Sequence, residues 1–157
     1  MTPRLQSLLV ANGALVFLLG MVAGFPFTFV LIGKVAVWPI PGSVDWTMPG
    51  DVRAWRMAHL EGILNGLTLI GVAAVGPRLA LGDRGQRWLT WSLLVTAWGN
   101  MVASLIGPIF GGRGLEFREG TANNVMYVLF VLAVVAIFVA MILVAWGAMR
   151  ARTAGRE

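Results

Sequence analysis

The run VLFVLAVVAIFVAMILVA, Val128 to Ala145, decides the class of this chain. No side chain in it carries an oxygen or a nitrogen, and it lies inside a longer stretch, Gly120 to Met149, that has no charge at all. A helix crossing the hydrocarbon core of a bilayer needs roughly 20 mainly apolar residues, and this stretch is longer than that. Three more runs are free of charge: Leu5 to Gly33, Gly62 to Pro77, and Trp88 to Gly112. The first and third are long enough by themselves. The Gly62 run becomes long enough once Trp55, His59 and Glu61 are set at headgroup depth. The pattern predicts an all-α integral membrane four-helix bundle, residues 1–157 forming a single domain, with helices at about 7–33, 55–78, 88–110 and 123–149.

Composition agrees. Charged residues make up 12% of the chain, about half the share usual in soluble domains, and mean hydropathy is +0.80. So little chain lies outside the four runs that no soluble catalytic domain fits, and any chemistry has to sit in or between the helices. The apolar stretch of the first segment far exceeds the roughly 7–15 residues of a signal-peptide core, so it reads as a retained helix. The absence of cysteine excludes disulfides, iron–sulfur clusters and cysteine zinc sites.

The net charge of +5 reads as membrane topology, with no nucleic-acid partner. In a four-span chain Arg4, Arg78, Arg84, Arg87, Arg150, Arg152 and Arg156 share one side. Lys34, Arg53, Arg56, Arg113 and Arg118 share the other, diluted by Asp45, Asp51, Glu116 and Glu119. The more basic side is expected to be cytoplasmic, which places both the N and C termini there.

The segments between the helices have their own signals. The first loop is rich in proline and glycine, from Trp38-Pro39-Ile40-Pro41-Gly42 to Met48-Pro49-Gly50-Asp51. Its Trp38 and Trp46, with Trp55, suit a membrane interface, where an indole buries its ring and keeps its N–H wet. Asp51 is placed to cap the second helix. Asn123 and Asn124 mark the start of the fourth helix, which is expected to be the most lipid-facing.

Polar groups inside a bilayer are costly unless partnered, so their positions carry information. The second helix holds His59, Glu61, Asn65 and Thr68. The third holds Ser92, Thr96, Asn100 and Ser104, whose four-residue spacing makes one slowly drifting stripe. His59, Asn65, Asn100 and Ser104 all fall in the outer half of the membrane, so a shared pocket between the second and third helices is the economical arrangement. His59 is the only imidazole; a transition metal or haem held through nitrogen must use it. Arg53, Arg56 and Arg113 could pair with the carboxylates of such a cofactor. Plainer readings stand beside these. Asparagine and serine serve as interhelical glue, Gly62 and Gly66 form a small-xxx-small pattern for close helix approach, His59 and Glu61 are boundary residues, and the arginines anchor to headgroups.

The blocks Pro49-Gly50, Trp55, Ala58-His59 and Leu64-Asn65-Gly66, then Trp98 and Asn100, then Arg113-Gly114-Leu115 with Phe117, resemble the styrene oxide isomerases over residues 49–117. The resemblance implies a small four-helix membrane enzyme that assembles as a homotrimer. It implies haem b near the protomer interface and the conversion of a hydrophobic aryl epoxide to an aldehyde by a 1,2-shift. On it, His59 is the axial iron ligand. Trp98, Arg113, Gly62 and Gly66 surround the cofactor, and Asn65, Asn100 and Ser104 line the catalytic pocket. The family has a tyrosine where this chain has Ser104, so the pocket is expected to be wider or differently shaped. A multi-pass protein of a bacterial cytoplasmic membrane follows. Two other classes remain open: a non-enzymatic haem-binding membrane protein for sensing, carriage or electron transfer, to which the missing tyrosine points, and a cofactor-free structural or transport subunit.

Overall fold

The computed structural model describes residues 1–118 and 120–154; Glu119 and Arg156 lie outside the described residues. Four helices follow one another: α1 (Pro3–Ile32), α2 (Val52–Val75), α3 (Asp83–Phe110) and α4 (Thr121–Ala154), with a 3₁₀ turn at Gly76–Arg78 between α2 and α3. All four are long and apolar enough to cross a membrane. At 1.5 Å per residue the 34-residue α4 is about 51 Å long, well beyond a hydrocarbon core of roughly 30 Å. This explains why every helix starts earlier than the apolar runs suggest: the backbone ladder continues into the headgroup layer, where polar residues are welcome. Asp51 caps α2 as expected, its Oδ1 accepting from Ala54 N at 2.7 Å.

Met1 N donates to the Gly76 carbonyl at 3.3 Å, and Ala80 N donates to that of Gly147. The start of α1, the α2–α3 turn and the end of α4 therefore share one end of the bundle. The loops 33–51 and 111–118 share the other. The first of these loops is pinned by paired backbone bonds between Val35 and Val44. The helices pack chiefly as an α1–α2 pair and an α3–α4 pair joined along α2–α3. Within the apolar window of each helix 56% of α3 is buried but only 11% of α4, so α3 is central and α4 faces outward, as its uniform apolarity implies.

The α1–α2 contact is made of glycines. A Cβ on Gly66 would lie 2.7 Å from the Gly13 carbonyl oxygen and 2.7 Å from Phe17 Cβ; one on Gly20 would lie 2.7 Å from Ile63 N. Gly62 sits directly against Gly20. Backbone meets backbone here, which only residues without a side chain allow. Trp55 departs from its interfacial reading. It is 5% exposed, packs near Ala23 and Ala58, and donates from Nε1 to the Pro49 carbonyl at 2.7 Å. It closes the loop end of the bundle, while Trp38 and Trp46 remain exposed.

Two glycines of α2 separate packing from propensity. Gly62→Ala must push α1 away and is expected to lower stability by about 1–3 kcal/mol. Gly71, with open space where its Cβ would be, should tolerate alanine and gain up to about 1 kcal/mol. Thermal unfolding of the two variants in detergent checks both signs.

Candidate functional site

His59 lies on the side of α2 that meets α1. Its Nδ1 is 2.8 Å from the Gly20 carbonyl oxygen. A carbonyl oxygen only accepts, so the bond requires the hydrogen on Nδ1 and leaves the Nε2 lone pair free. The ring stacks on Phe27 at 6.0 Å between centroids. Gly24 makes room for it, since a Cβ there would be 3.0 Å from Nδ1. With Met21, Phe25 and Thr28, these residues line a groove of about 400 Å³ on the outer surface of the α1–α2 pair.

Asn65 lies elsewhere on the same helix. Six residues on from His59 is roughly 120° round the axis, and Asn65 is buried towards α3. Its Nδ2 donates to the Glu61 carbonyl at 2.9 Å and to Glu61 Oε2 at 2.7 Å. Its Oδ1 accepts from Asn100 Nδ2 at 3.4 Å. Hydrogen bonds thus bring Asn65, Asn100 and Glu61 together between α2 and α3, whereas His59 opens on a different side of α2. Residues in the outer half of one helix need not share a face, and depth alone had suggested that they did.

Ser104 is buried and its Oγ has no hydrogen-bond partner. One turn on, Pro108 lacks the amide hydrogen that would bond the Ser104 carbonyl. The hydroxyl borders a cavity of only about 10 Å³ lined by Arg53, Met57, Arg113, Met126 and Phe130 among others. Of the wider or differently shaped pocket expected from serine in place of tyrosine, one chain shows only this small space, bordered by Met57, Met126 and Phe130. Arg113 joins Ser104 at this cavity, away from the His59 groove. The rest of the polar stripe is structural, Thr96 Oγ1 bonding the Ser92 carbonyl at 2.9 Å and lying 3.2 Å from that of Ala133 on α4.

Trp98 donates from Nε1 to Asn12 Oδ1 at 2.9 Å, tying α3 to α1. Asn12 lies twelve residues before Gly24, about 18 Å along α1, so Trp98 does not meet His59 within one chain. Gly62 and Gly66 face Gly20 and Gly13 and act through helix approach.

The loop after α3 is organised by a residue that reads from the sequence only as a helix start. Asn123, in the first turn of α4, accepts through Oδ1 from Arg113 N at 3.2 Å and Gly114 N at 3.0 Å, and donates from Nδ2 to the Glu116 carbonyl at 2.9 Å. Asn124 Oδ1 accepts from Arg118 N, and Phe117 packs edge-on against Tyr127. The position of Arg113 is thus set from α4.

A family model described as styrene oxide isomerase matches residues 5–149. The chain belongs to the styrene oxide isomerase family. It is 28% identical to the styrene-oxide isomerase of Pseudomonas fluorescens over 107 residues, 68% of this chain and 62% of that protein. It is 26% identical to hydroxylaminobenzene mutase HabB of Ectopseudomonas oleovorans over 102 residues, 65% of this chain and 51% of that one. The chain thus spans between half and two thirds of the length of these curated relatives. One is named as an isomerase and the other as a mutase.

Asn123→Ala would leave three backbone groups of the loop without their partner. The expected cost is about 1–3 kcal/mol, seen as a lower unfolding temperature and as faster proteolysis confined to the 111–118 segment.

Proposed function

We propose that this chain is a haem b-dependent membrane isomerase that converts a hydrophobic aryl epoxide to an aldehyde. The observation that carries the reading is the His59 imidazole, held by the Gly20 carbonyl with its Nε2 lone pair left free. In that tautomer His59 would hold iron through Nε2, with the backbone partner that orients ring ligands at metal sites. The groove beside it, walled by Met21, Phe25 and Phe27, suits the face of an apolar macrocycle. Bound ferric haem would supply a Lewis acid for the substrate oxygen.

The chain's own residues supply the rest. The reaction is an isomerisation: the benzylic C–O bond breaks, hydrogen migrates with its electron pair, and a carbonyl forms with no atom gained or lost. The Asn65–Asn100 pair would stabilise charge on the substrate oxygen through the amide hydrogen it leaves free. Apolar walls keep out water that would open the ring to a diol. One protomer puts the His59 groove and the Asn65–Asn100 pair on different sides of α2, so a site using both would be completed by a second copy laying its Asn100 side against the groove. This supports a homotrimer with haem near the protomer interface. The greater basic charge at the terminal end supports cytoplasmic termini, in a bacterial cytoplasmic membrane.

A second substrate class is favoured by Glu61. Its carboxyl group, bonded to Asn65 at 2.7 Å, is an acceptor beside the site. An epoxide has no hydrogen to give it, whereas an aryl hydroxylamine, the class named in one relative, has both N–H and O–H.

The test is the purified protein reconstituted with hemin and offered styrene oxide or phenylhydroxylamine without reductant. The expected outcome is a Soret band and rearranged product from wild type, with both lost in His59→Ala. A Soret band without turnover of either compound would favour a sensing, carriage or electron-transfer protein. A colourless wild type would favour a structural or transport subunit.

A further inference from the structure

We propose that Glu61 is a positioning residue that, working through Asn65, makes Asn100 the amide donating to the substrate oxygen; this rests on the isomerase reading above. The orientation of the Asn65 amide follows from the backbone. The Glu61 carbonyl can only accept, and Asn65 Nδ2 reaches it at 2.9 Å, so the nitrogen faces Glu61 whatever the state of the carboxyl group. The second Asn65 N–H goes to Glu61 Oε2 at 2.7 Å. With both hydrogens committed, Asn65 has only its oxygen left to offer.

That oxygen accepts from Asn100 Nδ2. An amide nitrogen carries two hydrogens, so Asn100 keeps one for a ligand, while Asn65 keeps none. At 3.4 Å the Asn65–Asn100 bond is long, and it holds only while Asn65 is fixed at its other end. Glu61 supplies that fixing: without the carboxyl group one Asn65 hydrogen is released, the amide can swing, and Asn100 loses the acceptor that aims it. Small displacements of a reacting or stabilising group lower rates steeply. The order of action is Glu61, Asn65, Asn100, substrate, and of the three side chains only Asn100 touches the substrate.

Two measurements test this. The first needs no cofactor or turnover: side-chain NH₂ resonances of protein labelled with ¹⁵N-asparagine. Glu61→Ala is expected to shift the signals of Asn65 and Asn100 and to leave those of Asn12 and Asn123 in place. Glu61→Gln, whose side-chain oxygen accepts the same hydrogen, is expected to restore them. The second is kinetic, on the haem-loaded protein. Glu61→Ala should lower kcat by about tenfold or more with little change in KM. Glu61→Gln should recover most of the rate, and Glu61→Ala should add little in an Asn65→Ala background. The proposal is overturned if the Asn100 resonance ignores Glu61→Ala, or if Glu61→Gln is as slow as Glu61→Ala, since the carboxyl group would then act directly. A wild type with no turnover, but with the expected resonance shifts, would remove the isomerase reading and the substrate contact while leaving the relay established.

Discussion

The contact on which the rest of this structure depends is the approach of α1 to α2 at backbone distance. Gly13 with Gly66, and Gly20 with Gly62, remove the side chains that would hold the helices apart. In hydrocarbon there is little hydrophobic drive between helices, so such dispersion contacts carry much of the association. The same closeness brings the Gly20 carbonyl within reach of a side chain on the neighbouring helix. His59 uses it, and one hydrogen bond then fixes both the ring's direction and its tautomer. A packing device has become a means of preparing a nitrogen lone pair. Gly62 and Gly66, which the family resemblance places around a cofactor, act here on α1, through the close approach they admit.

The polar groups divide into two sets on α2. His59 faces the α1 side with an apolar groove, and Glu61 and Asn65 face α3 and Asn100. The wall between them is the helix itself. On the proposed function a single copy holds half-sites, and the proposed assembly brings unlike halves together. The loop end is built to keep the second half in place: Trp55 clamps Pro49, and Asn123 holds the backbone at Arg113 and Gly114.

Much of the architecture was legible in the sequence because a bilayer imposes simple constraints. The four apolar runs, the exposed fourth helix, the Asp51 cap and the proline- and glycine-rich loop all follow from length, charge and cap chemistry. The face each polar residue takes was less legible. His59 and Asn65 are close in number and depth, yet the 3.6-residue turn sends them to different neighbours, and only the identity of those neighbours separates a shared pocket from two. Trp55 and Trp98 look alike as membrane tryptophans; the acceptors of their indole N–H groups, at Pro49 and Asn12, lie in other segments. Ser104 looked like lost volume, because the residues that border the space, Met57 of α2 and Met126 and Phe130 of α4, lie far from it in the chain. Glu61 had a visible carboxyl group but no visible partner until helical spacing was joined to an amide orientation.

The central claim is that His59 presents a free Nε2 to iron because Gly20 holds its Nδ1 hydrogen. The most direct measurement is ¹⁵N NMR of protein labelled in its single histidine, before and after hemin is added. The account predicts an imidazole protonated at Nδ1 in the cofactor-free protein, and a signal from Nε2 that changes when hemin binds. A histidine protonated at Nε2, or a spectrum indifferent to hemin, would contradict it.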